Sequence, residues 1–174
     1  MEKELLILVD ENDNQTGVMD KLTVHQTGKL HRAFSVFIFN SKNELLLQQR
    51  ADEKYHSPGL WSNTCCSHPH NGEKTQDAVT RRLREELSIN CETLPVFSFI
   101  YQTPLENGLI EHEYDHVYFG KCDDKPVPDA REVKNWKYIS LQNLQEDILK
   151  NPDSYTVWLK ICLSEVRKQS KDSF

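Results

Sequence analysis

The chain of 174 residues has no apolar run approaching the roughly 20 residues that a membrane-spanning helix needs. Its N-terminus, MEKELLILVD, is apolar only over LLILV, with acids on both sides. It lacks the basic start and long apolar centre of a secretion signal. Cysteine is sparse and odd in number: Cys65, Cys66, Cys91, Cys122 and Cys162. That count argues against a closed disulfide framework and for a reducing, cytoplasmic setting. Excess basic charge is missing as well. A net charge of −6 disfavours a nucleic-acid groove, which needs clustered Lys and Arg to replace phosphate counterions. With no repeats and no low-complexity linker, residues 1–174 read as one domain, and 37% hydrophobic and 28% charged residues fit an ordinary globular core. An acidic protein of this kind can still hold a small anionic substrate through a metal ion and a few placed cations.

Residues Leu5–Val9 read as a first strand, followed at 10–17 by a turn rich in Asp, Asn and Gly. Residues 33–40 (AFSVFIFN) and Leu45–Arg50 are apolar, β-favouring runs separated by SKNE, which predicts a hairpin. Residues 55–72 form a long segment rich in Gly, Pro, Ser and Asn, and loops of that length are usually functional or disordered. Its dense Trp, Cys and His content favours function. Residues 75–89 predict the clearest helix, with Val79, Leu83 and Leu87 at four-residue spacing and Asp77 in the first turn. Strands follow at 96–103, 109–122 and 134–139, then helices at Leu141–Lys150 and 154–168, the last with an apolar stripe through Leu159, Leu163 and Val166. The order predicts an α+β fold with a mixed sheet.

The helix carries RRLREELSI with Glu73 at its approach. Arg81 with Glu85, and Arg82 with Glu86, are spaced for surface ion pairs worth about 0.3–0.5 kcal/mol each. Alternatively, adjacent glutamates on one turn suit a hard divalent cation and, through it, a diphosphate. On the strand carrying EHE, Glu111 and Glu113 share a face while His112 points away. Two carboxylates aimed at one spot repel unless a cation or proton lies between them. His25 and His31 in HQTGKLH, and His68 and His70 in CCSHPH, are candidate partners. Cys65 and Cys66 lie in a polar loop just before His68, where a nearby cation would favour thiolate and activate the sulfur.

Glu73, seven residues, then Arg81 and the pair Glu85–Glu86 resembles the Nudix box, with three departures: Ser67 and Ser88 stand where the box has Gly, and Arg82 where it has Glu. The segments KLTVHQTGKLHRAFS, QQRADEKYHSPGLWSNTCCSHP, RRLREEL and EHEYDH, with Trp158, are similar in order and spacing to the type 1 isopentenyl diphosphate isomerases of the Nudix superfamily, from about Leu5 to Trp158. That resemblance implies a Nudix-like α/β/α sandwich with an added N-terminal strand and C-terminal helices. It implies one divalent metal (Mn²⁺, Zn²⁺ or Mg²⁺) on His25, His31, His68, Glu111 and Glu113. His56, His70, His112 and His116 match no family ligand and read as structural or surface residues.

The resemblance also implies an acid/base pair, Cys66 and Glu113, with Tyr101 joining the relay and Trp158 facing a carbocation. Lys21, Arg50, Lys54 and Arg82 match positions around the diphosphate, and Mg²⁺ would bridge the diphosphate to Glu86 with help from the Cys66 backbone carbonyl. Trp61 reads as a loop anchor, and Val157 stands where relatives often have Pro. The implied partner is a small isoprenoid diphosphate, with no nucleic acid and no membrane, and the protein would be a monomer or weak homo-oligomer. A Nudix hydrolase using Glu73, Glu85 and Glu86 would leave His25, His31, Cys66, Glu111 and Glu113 without roles. A silent Nudix-like binding module would predict erosion at the mapped positions, and none is eroded.

Overall fold

A computed structural model describes residues 4–173; residues 1–3 and 174, which the one-domain reading includes, lie outside them. The first strand, β1 (Leu5–Val9), turns back through Asp10, whose carboxylate accepts from the backbone of Asn12 and Asn14, into β2 (Gln15–Asp20). The turn predicted at 10–17 therefore ends by Asn14, and its last residues are strand. A short helix absent from the sequence reading follows, α1 (Lys21–Thr27). Asp20 caps it by accepting from Thr23 N, and Gly28 ends it at φ 63°, a left-handed conformation glycine adopts without strain.

Then come β3 (His31–Phe39) and β4 (Leu45–Arg50), short β5 (Trp61–Ser62) and β6 (Cys65–Ser67), helix α2 (Thr75–Leu87) and the long strands β7 (Thr93–Pro104) and β8 (Ile110–Lys121). Strand β9 (Val133–Ile139) and helices α3 (Leu141–Lys150) and α4 (Val157–Ser173) complete the order. The predicted hairpin is only partial: β3 and β4 pair at Phe39 and Leu45 alone, then diverge. Strand β3 runs parallel to β8 over its whole length and takes β6 on its other side, while β4 pairs with β9. The divergence admits β6 beside β3 and β5 beside β4, so the predicted 55–72 loop contains two strands.

Both faces of the central sheet are covered, which explains the nearly unbroken apolar runs of β3 and β4. Phe34, Val36, Ile38 and Leu46 face α2, packing on Val79, Leu83 and Leu87. Phe37, Phe39, Leu45 and Leu47 face the opposite layer, with Leu144 of α3 and Leu159, Leu163 and Val166 of α4. Each such side chain contributes about 1.5–3 kcal/mol when fully buried. The result is the expected α/β/α arrangement around a mixed sheet. Helix α4 starts at Val157, and a valine serves at a first helical position where a proline would also fit. Among the described residues, no helix is long and apolar enough to cross a membrane.

Candidate active site and metal centre

Parallel pairing places His31, the first residue of β3, opposite Glu113 of β8. Helix α1 brings His25 over the same spot, and the segment after β6 brings His68. His25 and His31 are fully covered, Glu111 is 3% exposed and His68 9%. His25 Nε2 lies 2.9 Å from Glu111 Oε1, and His68 Nε2 3.2 Å from Glu113 Oε1. His31 Nε2 sits 3.6 Å from Glu111 and 3.7 Å from Glu113, too far to hydrogen-bond, and has no hydrogen-bond partner among the described residues.

The backbone sets the tautomers. His25 Nδ1 donates to Lys21 O at 2.7 Å, and His31 Nδ1 to Lys29 O at 2.9 Å. Burial drives His31 down to about 4, so its ring is neutral and its Nε2 carries a bare lone pair aimed at two carboxylates. A buried lone pair facing anionic oxygens is repulsive unless a cation lies among them. Backbone-anchored imidazoles of this kind are the usual arrangement for metal ligands. Ligand atoms of His25, His31 and His68, and of His31, Glu111 and Glu113, lie within 4.8 Å of one another, so these five residues fit a divalent metal.

The carboxylates are split electrostatically. Burial raises Glu111, but the His25 hydrogen bond and the neighbouring imidazoles outweigh it and hold this carboxyl low. Burial, then Glu111 and Asp115, push Glu113 well above the ordinary range. The Tyr101 hydroxyl donates to Glu113 Oε2 at 2.7 Å.

Glu113, Tyr101, Cys66 and Trp158 line one cleft of about 510 Å³, together with Glu111 and His68. In the protein alone, burial first, then Asp115, push the Cys66 thiol up to about 12; the thiolate expected there depends on a cation nearby. Its Sγ donates to Asn63 Oδ1 at 2.9 Å. Trp158 is 4% exposed, with the Arg50 guanidinium 5.4 Å from its ring centroid.

Lys21, Arg50, Lys54 and Arg82 line the same cleft. Lys21 pairs with Glu4 at 3.1 Å and Lys54 with Glu132. Arg50 donates to the carbonyls of Ser57 and His56. Arg82 reaches Glu85 and Glu86, each at 2.7 Å, and Glu132 at 3.4 Å. Glu86, 4% exposed, also accepts from Gln48 at 2.9 Å. Glu73 is held differently: both its oxygens accept from Arg81 at 2.8 Å.

Sequence reasoning missed several neighbours. His56, read there as structural or surface, is buried, stands 5.8 Å ring to ring from both His25 and Trp158, and has a ligand atom within 4.8 Å of those of His25 and Glu111. A single histidine in EKYHSPG carries no signal of that. Ser35 joins Cys66 to Asp115, donating to the aspartate at 2.7 Å with Sγ 3.6 Å away. The alternation that pairs Glu111 with Glu113 would have put Asp115 on the same face. Of the remaining histidines, His70 is exposed at the cleft rim, His112 bonds Gly28 O on the far face of β8, and His116 pairs with Asp13. Trp61 anchors its loop on the second core, with Lys137 over its ring at 4.3 Å.

Residues 29–159 match the NUDIX domain. The chain is 51% identical over 164 residues to an isopentenyl-diphosphate Delta-isomerase of Aromatoleum aromaticum, covering 94% of this chain and 87% of the relative. It is 50% identical over 161 residues to that of Pectobacterium atrosepticum, covering 92% and 90%. In fold it is similar to a Deinococcus radiodurans protein of known structure, with TM-score 0.77, 21% identity, and 93% and 98% of the two chains covered. A MutT NUDIX hydrolase of Burkholderia pseudomallei gives TM-score 0.63 at 21% identity, over 79% and 98%. With a Nudix fold around a His/Glu cluster, and half its residues shared with these isomerases along nearly its full length, the chain belongs to the isopentenyl-diphosphate Delta-isomerase family.

Proposed function

We propose that this chain interconverts isopentenyl and dimethylallyl diphosphate in isoprenoid biosynthesis, with Cys66 and Glu113 as the two proton carriers. The observation that carries the assignment is their convergence, with Tyr101 and Trp158, on one cleft that the four cationic side chains also line. Moving the double bond requires a proton delivered to the terminal alkene carbon and another removed from the carbon two positions away. One of the pair gives its proton to the alkene. The resulting tertiary cation is stabilised by the Trp158 ring, an attraction of about 2 kcal/mol or more when desolvated. The other then takes the second proton, and Tyr101 fixes the Glu113 carboxylate through its hydroxyl. In the reverse direction the two roles exchange.

Lys21, Arg50, Lys54 and Arg82 compensate the diphosphate by exchanging their present carboxylate and carbonyl partners for phosphate oxygens. We assign His25, His31, His68, Glu111 and Glu113 to one divalent metal (Mn²⁺, Zn²⁺ or Mg²⁺), and Glu86 with the Cys66 carbonyl to Mg²⁺ accompanying the substrate. When bound, these cations supply positive charge that favours the ionised form of Glu113 and neutralises the diphosphate. We place the enzyme in the cytoplasm as a single Nudix-like domain, where its five free thiols stay reduced. The convergence of His25, His31, Glu111 and Glu113, for which a hydrolase built on Glu73, Glu85 and Glu86 has no use, counts against the hydrolase alternative.

Proton NMR in D₂O, with isopentenyl diphosphate and Mg²⁺, tests the reading against a Cys66→Ala control. Deuterated dimethylallyl diphosphate, lost in the control, is the expected result. Phosphate release without an allylic product, or an unchanged substrate with folded, metal-loaded protein, would sink it.

A further inference from the structure

We infer that Asn63 is a positioning residue that holds the Cys66 sulfur in place and, through Ser62, ties it to the Trp158 ring; this rests on the reading of Cys66 and Trp158 as catalytic. The Asn63 side chain is fully buried. Its amide nitrogen has two donors and uses both, on Val36 O at 3.2 Å and Cys65 O at 3.1 Å. Turning the amide over would face its oxygen to those two carbonyls, so its orientation is determined. The oxygen then points to Cys66 Sγ at 2.9 Å and Ser62 Oγ at 3.1 Å. An amide oxygen only accepts, so both neighbours must donate.

Ser62 has one hydroxyl proton and gives it to Asn63. Its lone pairs are free to accept, and they do so from Trp158 Nε1 at 2.9 Å and Thr156 Oγ1 at 3.2 Å. Ser35, the other hydroxyl close to Sγ, has committed its proton to Asp115. The chain Trp158 Nε1–H to Ser62 O–H to Asn63 Oδ1, met from the other side by Cys66 S–H, couples the proton carrier on β6 to the aromatic face on α4. Ser62 is 2% exposed, Thr156 fully buried and Trp158 4% exposed, and a fully satisfied buried network of this kind rigidifies the groups it joins. Cys66 and Trp158 line the cleft, whereas Asn63 and Ser62 stand behind them.

The test compares Asn63→Ala, Ser62→Ala and Cys66→Ala by turnover of isopentenyl diphosphate with Mg²⁺, by the solvent deuterium isotope effect on kcat, and by a thermal melt of each variant. Folded Asn63→Ala is expected to lose about 100-fold in kcat, with KM held within about threefold and a larger isotope effect, because a proton carrier whose sulfur is no longer held in place is slowed without losing substrate contacts. Ser62→Ala keeps the amide and removes the hydroxyl that links it to Trp158 and Thr156, for an expected loss of about fivefold to tenfold in kcat at constant KM. A folded Asn63→Ala with kcat within about twofold of the parent, or with a KM increase accounting for the loss, overturns the inference. If Asn63→Ala melts below the assay temperature, Ser62→Ala decides, and unchanged kcat there overturns it. An inactive Cys66→Ala beside a fully active Asn63→Ala sinks this inference alone, whereas full activity of Cys66→Ala sinks it together with the reading beneath it.

Discussion

Tyr101 on β7 and Glu113 on β8 are cross-strand partners, and the tyrosine hydroxyl donates to Glu113 Oε2 at 2.7 Å. Removing that donor leaves the carboxylate free to rotate and less able to hold negative charge. Tyr101→Phe should therefore lower kcat by about 10- to 100-fold while KM moves little. Steady-state kinetics on the folded variant checks this; a change confined to KM would move Tyr101 from proton transfer to substrate binding.

Metal should leave with His31. After dialysis against chelator and reloading with Mn²⁺ or Zn²⁺, the parent is expected to retain about one equivalent, and His31→Gln well below that, by elemental analysis. The same ion at 100 times its Kd should stabilise the parent by about 2.7 kcal/mol and leave His31→Gln nearly unmoved in a thermal melt. Equal metal content in both proteins would contradict the assignment.

The Glu73–Arg81 pair predicts an acid-sensitive contribution. The Arg81 hydrogen bonds hold Glu73 down to about 2, below its ordinary 4.5. A carboxyl depressed in the folded state stabilises the protein above its unfolded pKa, and that contribution disappears as pH falls from 4.5 toward 2. Because the pair is partly solvated, the effect of Glu73→Gln at pH 7 should be about 1 kcal/mol. Urea unfolding of both proteins should show that difference shrinking steadily below about pH 4. A pH-independent gap would assign the loss to packing.

Ser88 ends α2 at φ 56°, with its N–H on Arg84 O at 3.0 Å. It occupies the position where the Nudix box has glycine, and a left-handed non-glycine residue costs roughly 1–2 kcal/mol. Ser88→Gly should stabilise the protein by about 0.5–1 kcal/mol, because the added freedom of the unfolded chain offsets part of the gain. A lower urea midpoint in the variant would show that the serine hydroxyl compensates for its backbone.

What the sequence determined by itself is local and periodic. The four-residue spacing of Val79, Leu83 and Leu87 specified α2, and the alternation through EHE specified that Glu111 and Glu113 share a face. Doubly apolar β3 and β4 announced strands, since a strand covered on both faces has no reason to alternate. The capping signals of α1, Asp20 and Gly28, are legible in the sequence, but a seven-residue helix is too short to show a periodic apolar stripe. Tertiary structure decided what depends on distant segments meeting. That β3 leaves β4 to pair with β8 over its length follows from which strands lie alongside it, and no local pattern encodes that choice. The recruitment of His56 depends on a loop folding onto α1 and α4, and the upward push on the Cys66 thiol on how much water the assembled protein removes from it. Residue type fixes which protons can be exchanged; burial and hydrogen-bond partners, which arise only when the chain closes on itself, fix where those protons reside.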